Sequence, residues 1–351
     1  MVGTKTHNNL GFATDFAFNN GIPHVCIRSQ NNSDERSGNT IIKLNSSSTD
    51  WEIVGQTSLV YGLGNDSKIT FIDNILYLCY SDFKMFGKRA IKVQKLISNN
   101  TGWELVGNEN IYDDYNPGIK KITFKGNVLY ICFTNGIINY SKPVLKKLNI
   151  ANNSWEVVGD SSSITKKNYE LDNFSINNTG LYGGFSNTYP NDYGSTYVMK
   201  YNFSVKDFDL VAKHYYQHKN NDELEVVFNG SVPYVFYRNW YNRTVTVQKF
   251  DITNKVWEVV GNENFHIDEN FNNAFLSMYF HNENTYLICR SSDYDYSKKG
   301  VIIMRLNATG TLWEEIGILN TPIGHSVVVT FDKGEFYALY KTDGSGIDGS
   351  V

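Results

Sequence analysis

Basic residues at one repeating register are the first feature of this chain with chemical potential. Seven segments align on a column that holds Cys26, Cys79 and Cys132. Two residues beyond it stand Arg28, Ser81, Thr134, Ser186, Arg238, Arg290 and Lys341. The basic members come from copies five, six, seven and one, which are neighbours if the copies close into a ring. Guanidinium groups grip carboxylate or sulfate at two points, so an arc of this kind suits an anionic ligand. Local pairing with the acidic stretches at 221–225 and 266–271 is the competing account of the same residues.

Aromatic residues form the second group. Tyr112 and Asp114 lie in "NIYDDYNPG", Tyr189 and Tyr193 in "NTYPNDYGS", Trp240 and Tyr241 in "NWYNR", and Tyr294 and Tyr296 in "SDYDYSKK". Rings beside Asn and Asp suit sugars, which offer C–H patches and hydroxyls together. Packing over neighbouring loops would use the same rings. Candidate ligand-binding residues are therefore these eight with Arg28, Arg238 and Arg290.

Other chemistries are excluded by type and spacing. Cys26, Cys79, Cys132 and Cys289 show no Cys-x-x-Cys spacing, so they are read as reduced core thiols and zinc is not expected. His214 and His218 share "KHYYQHK", read as a solvated loop. "YGLGND" at 61–66 lacks the full glycine fingerprint of a nucleotide loop. "DGSGIDGS" at 343–350 lacks the terminal bidentate Glu of a calcium loop, and residues 343–351 are expected to be poorly ordered. No catalytic residue, metal or cofactor is assigned.

Net charge is -4, so no global basic field recruits nucleic acid. No stretch reaches the roughly 18 apolar residues of a membrane span. The beginning, "MVGTKTHNNL", lacks the apolar core of a signal peptide. That favours the cytoplasm if Met1 is the native start, and a secreted or surface setting if the chain is part of something longer. Sequons such as Asn45-Ser-Ser and Asn307-Ala-Thr are read as chance in so Asn-rich a chain.

The elements that must position these residues are repeats. "TDWEIVG" (49–55), "TGWELVG" (101–107), "NSWEVVG" (153–159), "KVWEVVG" (255–261) and "TLWEEIG" (311–317) are near-copies, and Phe208 in "DFDLVA" fills the missing Trp slot. Upstream, His24, Tyr77, Tyr130, Tyr182, Tyr234, Tyr286 and Tyr337 recur at steps of 51 to 53 residues. Each unit reads as four short strands, named a to d here. For the second copy they are 67–73, 75–81, 91–97 and 103–107, with Asn- and Gly-rich turns between them. Strand b is apolar on both faces, as in a sheet sandwiched between two others. Aligned Lys43, Lys95, Lys147, Lys200, Lys249 and Arg305 on strand c should pair with the acid after each Trp. The a–b and c–d turns are short and the b–c and d–a loops long, so a site is expected on the long-loop face.

At this level the chain resembles seven-bladed β-propeller repeats of the kelch-like and Asp-box-like kind. The Asn/Thr/Gly turn before the Trp of strand d carries the likeness, which spans nearly the whole chain. Only Gly183-Gly184 matches the kelch Gly-Gly pair, and Asp50 and Gly102 are fragments of an Asp box. The resemblance implies one all-β domain over 1–351, a seven-bladed propeller of four-stranded antiparallel blades. Its last blade is incomplete or closed by the N-terminus. The function expected is a non-enzymatic carbohydrate-binding module, lectin- or adhesin-like, with a glycan or glycoprotein as partner. A protein–protein interaction scaffold is the alternative, and a sialidase-like hydrolase using Arg28, Arg238 and Arg290 is a third.

Overall fold

A computed structural model describes residues 12–28, 38–45, 47, 50–55, 67–83, 88–97, 102–107, 111–115, 118–125, 128–135, 142–158, 169–177, 180–187, 195–202, 204–205, 207–215, 224–239, 244–266, 274–291, 300–320, 327–332, 334–341 and 347–350. The fold is an all-β propeller of four-stranded antiparallel blades. Two compact units divide the chain, Met1–Val158 with Gly324–Val351, and Gly159–Ile323.

The first unit holds blade one (strands Phe12–Asn19, Ile22–Arg28, Asn39–Leu44 and Trp51–Ile53) and blade two (Ser67–Ile72, Ile75–Phe83, Lys88–Leu96 and Trp103–Leu105). Blade three follows (Gly118–Lys125, Val128–Asn135, Lys142–Asn149 and Ser154–Val157), with a three-stranded sheet of Val327–Asp332, Glu335–Lys341 and Ile347–Ser350. The second unit holds blade four (Tyr169–Asn177, Gly180–Asn187, Ser195–Asn202 and Asp207–Tyr215) and blade five (Leu224–Asn229, Val232–Asn239, Thr244–Asp251 and Val256–Val259). Blade six (Ala274–His281, Asn284–Ser291, Gly300–Leu306 and Trp313–Asn320) completes it. The count of seven is thus corrected: six blades are four-stranded, and the last sheet stops at three strands among the described residues. Residues 347–350, expected to be poorly ordered, pair as its third strand with Ala338–Lys341. Closure by Met1-Val2-Gly3 lies outside the described residues.

The repeated heptapeptide works across blades. Trp155 donates its Nε1–H to the Val106 carbonyl at 3.2 Å, and Trp313 donates to Val260 at 2.9 Å. Each accepting residue precedes the Gly of the blade before. That Gly lies under the indole. A Cβ on Gly107 would sit 2.3 Å from Trp155 Nε1, and one on Gly261 would sit 2.5 Å from the Trp313 ring. Both glycines hold left-handed φ, +91° and +77°, which a side chain resists as well. Gly55 and Trp103 repeat the contact, with a Cβ-to-Nε1 approach of 2.5 Å. Phe208 takes the Trp register in blade four, opposite Tyr201, as Trp155 stands opposite Leu148.

A second ladder explains the Tyr series. Within each unit the strand-b ring meets a Phe on strand a of the next blade. His24 meets Phe71 at 4.6 Å, Tyr77 meets Phe124 at 6.2 Å, Tyr182 meets Phe228 at 5.3 Å and Tyr234 meets Phe280 at 4.8 Å. Tyr337 of the three-stranded sheet meets Phe18 of blade one at 4.6 Å. Alternating residues of strand b face opposite neighbours. Leu76, Leu78 and Tyr80 join blade one around Cys26 and Ile41, and Cys79 joins blade three around Ile122 and Ile131.

The outer hairpins carry the expected ion pairs: Lys43–Glu52 at 3.7 Å, Lys95–Glu104 at 3.2 Å, Lys147–Glu156 at 3.5 Å and Lys249–Glu258 at 3.2 Å. Exposed pairs of this kind add little stability. In blade four Asp209 instead accepts from Asn202 Nδ2 at 2.9 Å. The c–d turns are closed by short polar side chains. Asn202 Oδ1 accepts from Ser204 N at 3.0 Å, Asp251 Oδ1 from Thr253 N at 2.7 Å, and Asn307 Oδ1 from Thr311 N at 2.9 Å. The Asn/Asp-x-Ser/Thr pattern is turn chemistry, a side chain standing in for a backbone acceptor.

Two outcomes are expected. Gly107→Ala should cost roughly 1–2 kcal/mol for the left-handed φ, and roughly 1–3 kcal/mol more for displacing Trp155. Gly310→Ala, at φ +71° with no atom within 4 Å, should show only the first cost; urea denaturation of both variants separates them. His24 is buried, donates from Nδ1 to the Ile22 carbonyl at 3.0 Å, and is pushed down from 6.5 to about 4, first by burial and then by Lys43. Below about 6.5 the unfolded chain binds a proton that the folded one refuses until about 4, so stability falls with pH across that window. His24→Tyr should flatten this part of the profile in thermal melts taken across it.

Candidate functional site

The inner strands of the first unit carry charge where a strand between two apolar sheets should be apolar. Asp15, Lys68 and Lys121 occupy one register of strand a in blades one, two and three, opposite Cys26, Cys79 and Cys132. Bulges between Ala13 and Asp15 and between Ile119 and Lys121 break the ladder just before two of them. A bulge twists the strand and re-aims the side chain after it. All three lie toward the end of the strand that the d–a loop enters, which is the long-loop end.

Asp15 is held on both oxygens by blade two. Oδ2 accepts from the Ile69 backbone N at 2.7 Å, and Oδ1 lies 3.6 Å from Lys68 Nζ. Its side chain is 22% exposed and that of Lys68 33%. Burial raises the Asp15 carboxyl above the usual carboxylate range, although Lys68 and the Ile69 hydrogen bond pull the other way. Burial lowers Lys121, the nearby Lys68 charge lowers it further, and Cys132 and Asp15 oppose this. The fold thus moves the protonation of an acid in blade one up and of an amine in blade three down from their ordinary ranges, as at sites where such groups do chemistry.

A buried polar layer lies beside this group at the blade one–blade two seam. Ser67 Oγ donates to Asn39 Oδ1 at 2.8 Å, with both residues buried. Asp82 pairs with Lys92. Tyr80, 1% exposed, has no hydrogen-bond partner for its hydroxyl, and burial followed by the Asp82 charge raises it above an ordinary phenol. Thr14 Oγ1 donates to the Cys26 carbonyl at 3.2 Å. The Cys26 thiol is pushed up to about 12 by burial, so it is inert at neutral pH. All four cysteines are buried thiols, none of them in a disulfide.

The residues expected from the sequence fall elsewhere or outside the described part. Tyr189, Tyr193, Trp240, Tyr241, Tyr294 and Tyr296 lie outside the described residues. Tyr112 and Asp114 belong to a strand, Tyr112–Tyr115, rather than a loop; it pairs with blade two's Lys88–Ile91 and sets Asp114 opposite Arg89. Short outer strands leave the upper part of strand c open, and the chain returns to fill it. Phe265–His266 does the same in blade five. Arg28 ends strand b of blade one, opposite Phe12 and Asn39, and Arg290 lies opposite Phe275 and Val301. Arg238 is 4% exposed, a core position rather than a rim. His214, placed in a solvated loop by its sequence, is buried on strand Asp207–Tyr215, paired with Gln248 and edge-on to Trp257 at 5.2 Å. No group of three or more His, Cys, Asp or Glu that could hold a metal occurs among the described residues. Within them no helix is long and apolar enough to cross a membrane.

The charged column escaped sequence reading, though a signal was present. "DFAF", "KITF" and "KITF" begin at 15, 68 and 121, so a charge precedes the same apolar pattern at steps of 53 residues and changes sign.

No protein-family model matches the chain. No curated protein matches it either. Solved structures do. An ulvan polysaccharide lyase bound to -[GlcA(1-4)Rha3S]- aligns at a TM-score of 0.63 and 10% identity, over 98% of this chain and 94% of the lyase. A second polysaccharide lyase aligns at 0.62 and 9%, over 95% and 88%. The periplasmic gluconolactonase of Pseudomonas aeruginosa aligns at 0.57 and 9%, over 88% and 86%. These likenesses share the propeller fold. They overturn the expectation of a non-enzymatic lectin or adhesin, since the neighbours are enzymes that process carbohydrates.

Lys68 lowers the Asp15 carboxyl, so removing it must raise that carboxyl further. Carbon-13 NMR titration of the Asp15 carboxyl in wild type and Lys68→Met should show the variant titrating at higher pH.

Proposed function

We propose that this chain is a carbohydrate-processing enzyme whose chemistry is carried by Asp15 and Lys68 at the long-loop end of the inner strands. The observation that supports it is the Asp15 carboxyl, desolvated yet fixed at 2.7 Å by a backbone N–H and at 3.6 Å by an ammonium group. A group held this way has one geometry and a proton affinity raised toward neutrality, which suits moving a proton to or from a sugar carbon or oxygen. Lys68 supplies a fixed positive charge beside the reacting centre, where negative charge develops in lyase and lactonase chemistry alike. Arg28, Tyr112 and Asp114 in the same unit are read as saccharide contacts. The aromatic positions 189, 193, 240, 241, 294 and 296 with Arg290 are read the same way for the second unit. The repeat scaffold has no part in the reaction beyond fixing the inner strands.

The test is turnover. A panel of polysaccharides and aldonolactones is incubated with the protein, and new reducing ends, ultraviolet absorbance of an unsaturated sugar and acid release are followed. At least one substrate should be consumed. Asp15→Asn, nearly the same size and able to keep the Ile69 bond, should lower kcat/KM about a hundredfold or more. No turnover across the panel, or wild-type turnover by a folded Asp15→Asn variant, would overturn the reading.

A further inference from the structure

Lys121 is the charged member of the inner column that the reaction as proposed leaves without a task. Its neighbour Lys68 is committed to Asp15 at 3.6 Å. Lys121 has no ion-pair or hydrogen-bond partner among the described residues, and the charges that bear on it are those of Cys132, Lys68 and Asp15. The Cys132 thiol is buried. Asp15 is already held by two donors from blade two. A half-buried ammonium group that feels the charge of a second one is an unfavourable arrangement in the free protein. It becomes favourable when an anion enters between them, because charge-assisted hydrogen bonds to a carboxylate or sulfate replace the lost solvation. The register supports that placement. Lys68 and Lys121 take equivalent positions on consecutive inner strands, both opposite a buried cysteine too small to compete for the space.

We infer that Lys121 is an anion receptor, and that it makes the site selective for saccharides carrying a carboxylate or sulfate over neutral ones. The inference rests on the reading of this column as the active site. Lys121 acts here through binding and takes no part in proton transfer. Lys68 contributes to the same anion only through the side of its ammonium group turned from Asp15.

The experiment compares methyl β-glucuronide, methyl β-glucoside and inorganic sulfate as ligands of the full chain, by isothermal titration, for wild type, Lys121→Met and Lys121→Arg. Wild type should bind the glucuronide at least tenfold more tightly than the glucoside. Lys121→Met should weaken the glucuronide about ten- to a hundredfold, the range of a hydrogen bond to a charged group, and leave the glucoside unchanged. Lys121→Arg should restore most of the glucuronide affinity, which a purely structural role for the lysine stem would not require. Equal binding of glucuronide and glucoside by wild type overturns the inference, as does unchanged glucuronide binding in a folded Lys121→Met variant. Sulfate that competes with glucuronide in wild type supports it. Sulfate that binds the wild type and Lys121→Met equally places the anion elsewhere and overturns it. The two proposals fail separately. Lys121-dependent binding without turnover leaves the receptor and removes the enzyme, whereas Asp15-dependent turnover of neutral sugars at the rate of anionic ones leaves the enzyme and removes the receptor.

Discussion

An indole resting on a glycine of the preceding blade is the contact on which the rest of this fold depends. Among the described residues few backbone hydrogen bonds join neighbouring sheets, Gly261 N to the Gly310 carbonyl at 3.2 Å being one, so their spacing is set mainly by side chains. The Trp ring is large, flat and carries one donor, and it needs a flat acceptor surface with an exposed carbonyl. Gly107 and Gly261 provide that surface only because they lack a Cβ, and their left-handed φ turns the Val106 and Val260 carbonyls toward the indole. One heptapeptide therefore contributes half of two interfaces. Its Trp faces backward and its Gly forward, and blade four departs from this: Phe208 takes the Trp slot, and Trp257 of blade five donates to the Lys213 carbonyl instead.

The inner end of each blade is governed by a different contact. Rings of strand b meet rings of strand a in the next blade at roughly 5 Å. This pairing and the Trp–Gly contact join neighbouring blades at positions other than the long-loop end of strand a. Asp15, Lys68 and Lys121 sit there. Their charges cost stability that the clamped scaffold supplies elsewhere. A residue that the fold does not need, and that varies in sign between otherwise uniform copies, is where chemistry can be placed on a repeat.

The polar layer of Asn39, Ser67, Tyr80, Asp82 and Lys92 belongs to the same end of the molecule. Ser67 precedes Lys68, and its bond to Asn39 ties the start of blade two's inner strand to blade one. The ammonium of Lys68 and the carboxyl of Asp15 are thus supported from behind by a buried hydrogen bond between the same two blades. That support matters because their 3.6 Å separation is too long to fix itself against thermal motion.

The scaffold was written in the sequence because it repeats. Trp51 through Trp313, the Tyr series and the strand-c lysines each recur at nearly constant spacing, and a residue that recurs must face the same environment each time. From that alone the strands, the c–d ion pairs and the Phe208 substitution follow. What repetition could not show was the site, since its residues are those that break the pattern from copy to copy. Arg238 illustrates the difference: its register matched Arg28 and Arg290, yet it is buried. His214 reads as loop in sequence and is a core strand residue, because strand d of blade four is nine residues long where its counterparts in blades one and two have three. Only the tertiary structure brings Asp15 to the Ile69 amide and Lys68, 54 and 53 positions along the chain. Sequence determines which residues share a register, by periodicity. The packing of one blade on the next decides which of them meet, because that distance is set by indole, glycine and phenyl rings far from the charges themselves.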